Sequence, residues 1–294
     1  MAKPASSFVT MAALAAMGAA AAWQASACDG AGVITRIEGR PQDVVITRAE
    51  TGGPTVVTRP RVLEVVCRGD VVHVVGVTDL VLAIDGSGTV RVDHNVDYTI
   101  PARRGAPSAA GNAYRNLTDV VLPDMKRMPW NVRIKGAGDD FGFALPALTA
   151  GGEKVQAGTR NLLVRLLGGT APYRVEIRDS QDRLVAAKTS DGHEVVLNSV
   201  ALAPAPGSYQ IKITDSTPRT LEGSFIAVAL APPVDTAYAD LTDLEIRTAA
   251  TATVLARNAP GIWSFEAELQ LQAAPANGLD RDKVYELIES YSTD

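Results

Sequence analysis

Residues able to do chemistry are few and widely spaced in this chain of 294 residues. The three histidines, His73, His94 and His193, lie far apart, so no local spacing supports a metal or acid–base site. The chain has no Gly-x-Ser-x-Gly elbow, no His-Glu-x-x-His, no Cys-x-x-Cys and no phosphate-binding loop. We therefore predict no catalytic, cofactor-binding or metal-binding residues and a protein that is not an enzyme. A hydrolase whose site is assembled from distant residues is the alternative.

The two cysteines, Cys28 and Cys67, have the most distinctive chemistry in the chain. In an oxidising compartment they would pair, and a disulfide closing so long a loop contributes about 3–4 kcal/mol to stability. Cys28 also follows Ala25-Ser26-Ala27 directly, where a lipoprotein carries its acylated cysteine, although Ala25 replaces the large aliphatic residue usual there. We expect the Cys28–Cys67 disulfide. A lipid anchor at Cys28 and free thiols are the alternatives.

Two further motifs combine glycine with acidic residues. Gly136–Gly142 contains Asp139 and Asp140, whose carboxylates suit Ca²⁺, but no ladder of further ligands accompanies them. We interpret this stretch as a β-turn. Arg68-Gly69-Asp70 has the composition of an adhesion tripeptide, yet it stands between two strand-like runs. We therefore assign Gly69 and Asp70 to a turn.

The N-terminal segment has the pattern of an export signal. Lys3 is followed by the uncharged, Ala-rich run Phe8–Trp23 and by Ala25-Ser26-Ala27, a small-residue cleavage site. We predict a signal peptide over residues 1–27 and a mature protein that is periplasmic or secreted. The alternative is a membrane anchor, for which the run is at the short limit of length. No later stretch is apolar enough to span a membrane, so none is expected after cleavage.

The charge pattern restricts the class of partner. The formal net charge is −5, and the Lys and Arg residues are spread along the chain rather than clustered. A nucleic-acid-binding surface needs a basic patch or stripe. We therefore expect no nucleic-acid partner.

Short β-branched runs separated by Gly, Pro and Asp predict a first β domain over residues 28–100. Leu80, Leu82 and Ile84 alternate onto one face of a strand. Asp85–Gly88 joins that strand to the next through two glycines that tolerate turn conformations. The predicted strands are Val33–Ile37, Asp43–Arg48, Arg61–Val66, Val71–Val75, Leu80–Ile84, Thr89–Asp93 and Val96–Ile100.

The order of motifs in this region resembles the FecR-type β domain of bacterial envelope proteins. The motifs are a Gly-containing first strand, a Gly-Asp turn after an apolar strand, and an aliphatic hairpin with an Asp-Gly-Ser tip, carried by Gly32-Val33, Arg68–Val72 and Leu80–Ser87. Founding members of that family relay siderophore-uptake signals to a sigma factor through a membrane span and a cytoplasmic segment. This sequence shows neither feature. The resemblance therefore implies a module of a secreted, multi-module protein.

A linker and a second β domain follow. Residues 101–129 begin with a stretch rich in Pro, Gly, Ala and Ser, which predicts a linker. Within it, Asn116–Leu122 is expected to form one or two helical turns. Residues 130–231 contain about seven short alternating runs, which are typical of a β-sandwich. Gly169–Tyr173 and Pro206–Asp215 resemble segments of bacterial Ig-like modules, in which a Pro-Gly-x-Tyr segment implies a tyrosine near a strand corner.

After Pro232-Pro233 the hydrophobic period changes to about 3.6, which predicts C-terminal helices within residues 232–294. We expect Asp240 or Thr242 to cap the first helix, which runs to about Ala256, and Pro260 to begin the second. We expect Asp280 to cap the third. The helices either pack on the sandwich or form a partner-binding appendage, with Trp263 and Tyr291 as candidate partner anchors.

These observations predict a mainly β fold: two β-sandwich or barrel-like domains with a short C-terminal helical segment. We expect an exported, non-enzymatic binding or scaffolding protein of the bacterial cell envelope, with a protein or an envelope glycan as its partner. The alternative is a periplasmic sensory or regulatory component that acts through a separate membrane partner. No cofactor is expected.

Overall fold

The computed structural model describes most of the chain from Cys28 onwards. The described residues are 28, 30–50, 53–85, 87–101, 113–114, 141–205, 207–233 and 236–292. The predicted signal peptide, the predicted helical turns at 116–122 and the Asp139-Asp140 pair lie outside them. Among the described residues no helix is both long and apolar enough to cross a membrane.

The first β unit consists of two four-stranded antiparallel sheets. One sheet has the order β4-β1-β6-β7 and the other the order β3-β2-β5-β8. A 3-10 turn at Pro41–Asp43 leads from the first sheet into the second. The strands are β1 Gly30–Glu38, β2 Val44–Glu50, β3 Gly53–Thr58, β4 Val65–Cys67, β5 Val71–Val74, β6 Asp79–Ile84, β7 Gly88–Val92 and β8 Asp97–Thr99.

A core between the two sheets holds this unit together. Leu80, Leu82 and Ile84 are buried in it, so the predicted alternation of β6 is confirmed. Gly32 lies in β1 opposite Ile84 of β6. A Cβ added to Gly32 would lie 2.1 Å from the carbonyl oxygen of Ala83, so no residue larger than glycine fits there.

The predicted strand Arg61–Val66 was wrong in its first half. Leu63 has φ +67°, and the chain turns at Val62 and Leu63 before β4 begins at Val65. The turn is fixed on β1, because Leu63 donates its N–H to the carbonyl of Ile34 and Ile34 donates to that of Glu64. A positive φ at a non-glycine residue is rare, and local periodicity gives no sign of it.

The second β unit is a sandwich of a five-stranded and a three-stranded sheet. The orders are β10-β16-β15-β12-β13 and β14-β11-β9, with β10 parallel to β16. The adjacency β16-β15-β12-β13 matches the G-F-C-C′ order of a variable-type Ig sheet, and β11-β14 matches the B–E pair. The elements are β9 Gly142–Phe143, α1 Ala147–Ala150, β10 Lys154–Gln156, β11 Gly158–Leu167, β12 Tyr173–Asp179, β13 Leu184–Ser190, β14 Glu194–Leu202, β15 Ser208–Thr214 and β16 Thr220–Val228.

A tyrosine corner joins the two sheets of this sandwich, as the Pro-Gly-x-Tyr resemblance implied. The side chain of Tyr209, in β15, is buried and stacks on Phe225 with ring centroids 5.3 Å apart. Its hydroxyl accepts the N–H of Ala203 at 2.7 Å. The bond fixes the chain where it leaves β14 for β15, which is the geometry of the corner in Ig-type sandwiches.

Three helices follow the sandwich: α2 Leu244–Asn258, α3 Ser264–Ala273 and α4 Arg281–Tyr291. Asp280 caps α4 as predicted, accepting the N–H of Lys283. The cap of α2 is Asp243, which accepts the N–H groups of Glu245 and Ile246, rather than the predicted Asp240 or Thr242. The prediction missed it because three cap-competent side chains occur within four residues, and only the backbone decides among them.

Pro260 does not begin α3, contrary to the prediction. Ile262 donates its N–H to the carbonyl of Ala259 at 3.1 Å, and Gly261 has φ +64°. Pro260 and Gly261 are therefore the central residues of a type II turn, in which proline and then glycine are the favoured pair. The helix begins at Ser264, four residues after the predicted start at Pro260.

The helices pack on the sandwich, and one hydrophobic core extends through both. It joins α2, α3 and α4 to residues of β11, β15 and β16. Val33, Leu63 and Ala83 of the first unit belong to the same core, and Asp280 donates its N–H to the carbonyl of Thr35 at 2.8 Å. The last helix therefore contacts the first strand.

The disulfide between Cys28 and Cys67 is present, as predicted. Its Cα atoms are 5.4 Å apart, and it joins the start of the described chain to the end of β4. Because the Cys28 sulfur is bonded to Cys67, this state leaves no thiol for the alternative of acylation.

We predict that the double change Cys28→Ser/Cys67→Ser lowers the free energy of unfolding by up to about 4 kcal/mol. The reason is that the bridge spans a sequence separation of 39 residues, whose closure restricts the unfolded chain. Urea denaturation followed by tryptophan fluorescence measures the change. Reduced wild-type protein is the control and should match the variant. An unchanged midpoint would contradict a structural role.

We also predict that Tyr209→Phe destabilises the protein by about 1–3 kcal/mol, because the Ala203 N–H loses its acceptor. The control is Tyr98→Phe, since the Tyr98 hydroxyl has no hydrogen-bond partner among the described residues. That change should stay within about 0.5 kcal/mol of wild type. Equal effects in the two variants, measured by chemical denaturation, would rule out the corner bond as a stabilising contact.

Candidate binding surfaces and the buried carboxylates

The adhesion-like tripeptide has a structural role. Gly69 has φ +83° and occupies the turn, as predicted. Asp70 is 1% exposed and accepts the N–H of Cys67 at 2.8 Å. The guanidinium of Arg48 pairs with the same carboxylate at 3.1 Å. The carboxylate therefore ties β2 to the end of β4 and is not presented to a receptor.

The three histidines lie apart in the structure as they do in the sequence. His73 in β5 contacts Asp97 in β8, and both side chains are exposed. His94 lies beside Asp79 at 3.9 Å. His193 is exposed and contacts the hydroxyl of Tyr173 at 3.0 Å. Among the residues that the structure describes, no group of three or more His, Cys, Asp or Glu is arranged to hold a metal ion.

The two candidate partner anchors lie against the core. Tyr291 is 8% exposed and belongs to the core that unites the helices with the sandwich. Trp263 is half-buried and packs against the same core just before α3 begins. Partner binding through either residue stays a prediction. Their observed contacts are with this chain.

Buried glutamates hold α3 on the edge of the five-stranded sheet. Glu153 accepts the N–H of Phe265 at 3.0 Å, at the first turn of α3. Glu266 accepts the backbone N–H of Gln156, in β10, at 3.0 Å and pairs with Arg160 at 2.7 Å. Each carboxylate therefore accepts a backbone N–H across the contact between α3 and the sheet edge. Burial of a carboxylate is costly unless such partners are present.

Glu245 has the same function between α2 and the loop before α4. It is 1% exposed. One carboxylate oxygen accepts the N–H groups of Asn277 and Leu279, and the other accepts from the guanidinium of Arg281 at 2.7 Å. The α3–α4 loop is therefore fixed to α2 by a single side chain.

A second group of charges lies under α3 and α4. Glu289 pairs with Arg165 of β11, whose guanidinium also lies 4.4 Å from the ring centre of Tyr285. Glu268 is 1% exposed, and one of its oxygens has no hydrogen-bond partner. Burial, together with the charge of Glu289, holds the pKa of Glu268 well above its usual range. We interpret this group as part of the packing, since solvent barely reaches Glu268.

The outer face of the five-stranded sheet is the candidate binding surface, and we call it the polar face. Val175 and Ile177 of β12 point into the sandwich, whereas Arg174, Glu176 and Arg178 point out. Glu176 pairs with Arg178 and Arg174, which together lower the pKa of its carboxyl. The outer row of β12 is therefore a fixed ladder of charges.

The neighbouring strands extend the polar face. Gln210 in β15 lies opposite Arg178 on one side and Ser224 on the other, and Lys212 lies opposite Glu176 and Glu222. A cleft of about 560 Å³ opens over this surface. Its lining is formed by Thr149, Arg178, Asp182, Gln210, Ile211, Lys212, Glu222, Gly223 and Ser224.

The cleft offers donors and acceptors in balance. Its ionised side chains are two basic ones, Arg178 and Lys212, and two acidic ones, Asp182 and Glu222. Gln210 adds an amide, and Ser224 and Thr149 add hydroxyls. Such a set suits an uncharged partner rich in hydroxyl or amide groups better than a polyanion or a polycation.

The loops at one end of the sandwich are held by Asp215. Its carboxylate, 0% exposed, accepts the N–H of Thr170 from the β11–β12 loop and the N–H groups of Thr217 and Arg219 from the β15–β16 loop. Burial raises the pKa of Asp215, but these donors and the Arg219 guanidinium outweigh it and hold the pKa well below its usual range. The two loops are therefore fixed relative to each other.

The polar face was not predicted as a site from the sequence. The alternation of Arg174, Glu176 and Arg178 with apolar residues is visible there, but it is typical of any strand with an outward polar row. The contribution of β15 and β16 was missed, because it depends on which strands pair and in which register. The buried glutamates were missed as well. The signal available for them was that Glu245, Glu266 and Glu268 each stand between two apolar residues in their helices.

Neither a family model nor a curated protein matches the chain. Among solved structures, CopC from Methylosinus trichosporium OB3b is similar at 28% identity over 26% of this chain and 82% of that chain, with a TM-score of 0.21. The BSP domain of a biofilm associated protein is similar at 11% identity over 69% of this chain and 26% of that chain, with a TM-score of 0.24. Both TM-scores are low, so neither likeness carries an argument. The FecR-type resemblance is not shown and stays a prediction.

The buried glutamates make the stability of the protein depend on pH. Burial raises the pKa of Glu153 from 4.5 to about 7, despite the N–H of Phe265 and the contacts with Ser264. The folded state therefore holds this proton more tightly than the unfolded state. Its contribution to stability is complete below the unfolded pKa and is lost as the pH rises through the folded pKa.

We predict that Glu153→Gln reduces the fall of the melting temperature between about pH 5 and pH 8, because the amide does not titrate. The amide oxygen can still accept the N–H of Phe265. Scanning calorimetry across this range measures the slope. Glu222→Gln, on the exposed polar face, is the control and should keep the wild-type slope. A wild-type slope in Glu153→Gln would show that this carboxyl does not titrate there.

Proposed function

We propose that this protein is an exported, non-enzymatic binding protein of the bacterial cell envelope that holds a partner on the polar face. The observation that supports this proposal best is the cleft over β12, β15 and β16, where charged and neutral polar groups converge on one face of the five-stranded sheet. Side chains mounted on strands are held more precisely than side chains on loops. The face is therefore organised before any partner binds.

The chemistry of the cleft favours an uncharged envelope glycan as the partner. A saccharide presents many hydroxyls, each of which donates and accepts. Gln210 and Glu222 supply planar groups that can bond two neighbouring hydroxyls at once. The guanidinium of Arg178 is bound to Glu176 and to the carbonyl of Asp182, so it fixes the wall of the cleft. Acidic and basic side chains are equal in number there, so the cleft has no net field for a charged polymer. A protein partner with a polar surface is the other outcome that the experiment below distinguishes.

The envelope location is supported by two independent features. The N-terminal segment has the pattern of an export signal. The Cys28–Cys67 bridge is of the kind that persists in oxidising compartments. The FecR-type and Ig-like resemblances of the two β units belong to the same proposal, since both imply modules of exported proteins.

The proposal predicts that Gln210→Ala/Glu222→Ala weakens the binding of a neutral oligosaccharide at least about tenfold, since two bidentate contacts are removed. The probes are uncharged envelope oligosaccharides on a glycan array, followed by calorimetry with the mature chain. The control is Asp93→Ala, an exposed change in the first β unit.

Two results would count against this assignment. One is the absence of binding to any neutral glycan on the array. The other is binding that the double variant and the control weaken equally. Binding of a protein partner that depends on Gln210 and Glu222 would keep the polar face as the site and replace the glycan.

A further inference from the structure

The two edges of the five-stranded sheet differ in whether other parts of the chain cover them. At the β10 edge, Gln156 donates its N–H to Glu266 of α3, and Lys154 donates its N–H to the carbonyl of Ile262. The β10 edge is therefore covered by the helical segment. At the opposite edge, β13 pairs with β12 and with no other strand of the described chain. An uncovered edge exposes a row of backbone groups that can pair with another chain.

The hairpin between β12 and β13 shows which groups point outwards. Asp179 donates its N–H to the carbonyl of Arg183, so its backbone faces β13. Alternate residues along β12 face the same way, which places Val175 and its partner Lys188 in a mutually hydrogen-bonded pair. The N–H groups of Ala187 and Thr189 then point away from β12. Within the described residues, no backbone acceptor meets them.

The usual protections of an edge strand are weak along β13. The strand Leu184–Ser190 contains no proline, and its one register irregularity lies beside Val185, at the hairpin end. Lys188 is its one charged side chain. Its ammonium is bound to the carbonyl of Val196 in β14 at 2.9 Å, so the charge is directed back to this chain. The segment from Ala186 to Ser190 is therefore a regular template.

A pocket adjoins this edge. It has a volume of about 390 Å³, and its wall combines the start of β13 with the tyrosine corner. Leu184, Val185, Ala201 and Ala203 form the apolar part of its lining, and the rest includes Asp179 and Arg183, which pair with each other. Leu184 is 52% exposed at its mouth. In strand addition, backbone bonds give affinity and such pockets select a side chain of the added strand.

We propose that β13 is a strand-addition site for an extended peptide segment of a partner protein. The peptide backbone pairs with the outward N–H groups of Ala187 and Thr189, and one aliphatic side chain of the peptide enters the pocket beside Leu184. The outward row of donors requires a chain in the strand conformation, and the pocket lies beside the start of the same strand, where it can take one side chain of that chain. This site is separate from the cleft of the polar face.

The test uses a library of linear octapeptides displayed on phage, selected on the mature chain. Synthetic copies of the enriched peptides are then titrated into wild type, Ala187→Pro and Ala187→Val. Proline removes the outward N–H and valine keeps it. We expect dissociation constants at least about tenfold higher for Ala187→Pro and within about twofold of wild type for Ala187→Val.

A second measurement does not depend on the folding of the proline variant. Amide hydrogen exchange on the wild type should slow at Ala187 and Thr189 when the peptide is saturating. Failure to enrich any peptide, or equal binding by Ala187→Pro, would overturn the proposal, as would unchanged exchange at these two amides. Because Gln210→Ala/Glu222→Ala leaves β13 intact, it should bind the peptide normally, which separates this site from the proposed function.

Discussion

The carboxylate of Glu266 is the contact on which the arrangement of the second half of the molecule depends. It accepts the N–H of Gln156 at the sheet edge, the guanidinium of Arg160 and the side-chain amide of Gln270. A helix as short as α3 is marginal by itself and needs tertiary packing. This side chain supplies a polar fixed point within that packing, and it also completes the hydrogen bonding of β10.

The neighbouring buried glutamates extend the same principle. Glu153 meets the N-terminus of α3, where backbone N–H groups lack helical partners and a negative charge is favourable. Glu245 fixes the loop that precedes α4. The helices are thus attached by glutamate carboxylates that accept backbone N–H groups left without a partner in helix or sheet. The positions of these N–H groups follow from where the strands and helices end and from which strand lies at the sheet edge.

Much of the fold followed from local patterns in the sequence, and the failures have a common cause. The alternation of β6, the cap of α4 at Asp280 and the tyrosine corner depend on neighbouring residues, and they were predicted. Strand β10 was missed, because it has only three residues and is defined by its parallel pairing with β16. The cleft of the polar face was also missed, because it too depends on strand pairing. Residues such as Gln210 and Glu222 acquire a shared surface only through strand register, which local periodicity does not contain.

The contact between Thr35 and Asp280 joins strand β1 to the start of α4, close to both ends of the described chain. A tensile force applied to the two termini would enter through β1, which the disulfide ties to β4, and leave through α4. One route crosses from Thr35 to Asp280, and a second runs from α4 into β11 of the three-stranded sheet through the pair of Glu289 and Arg165. A pull on the ends would therefore be resisted near the termini and in the three-stranded sheet before it reached the sheet that carries the polar face.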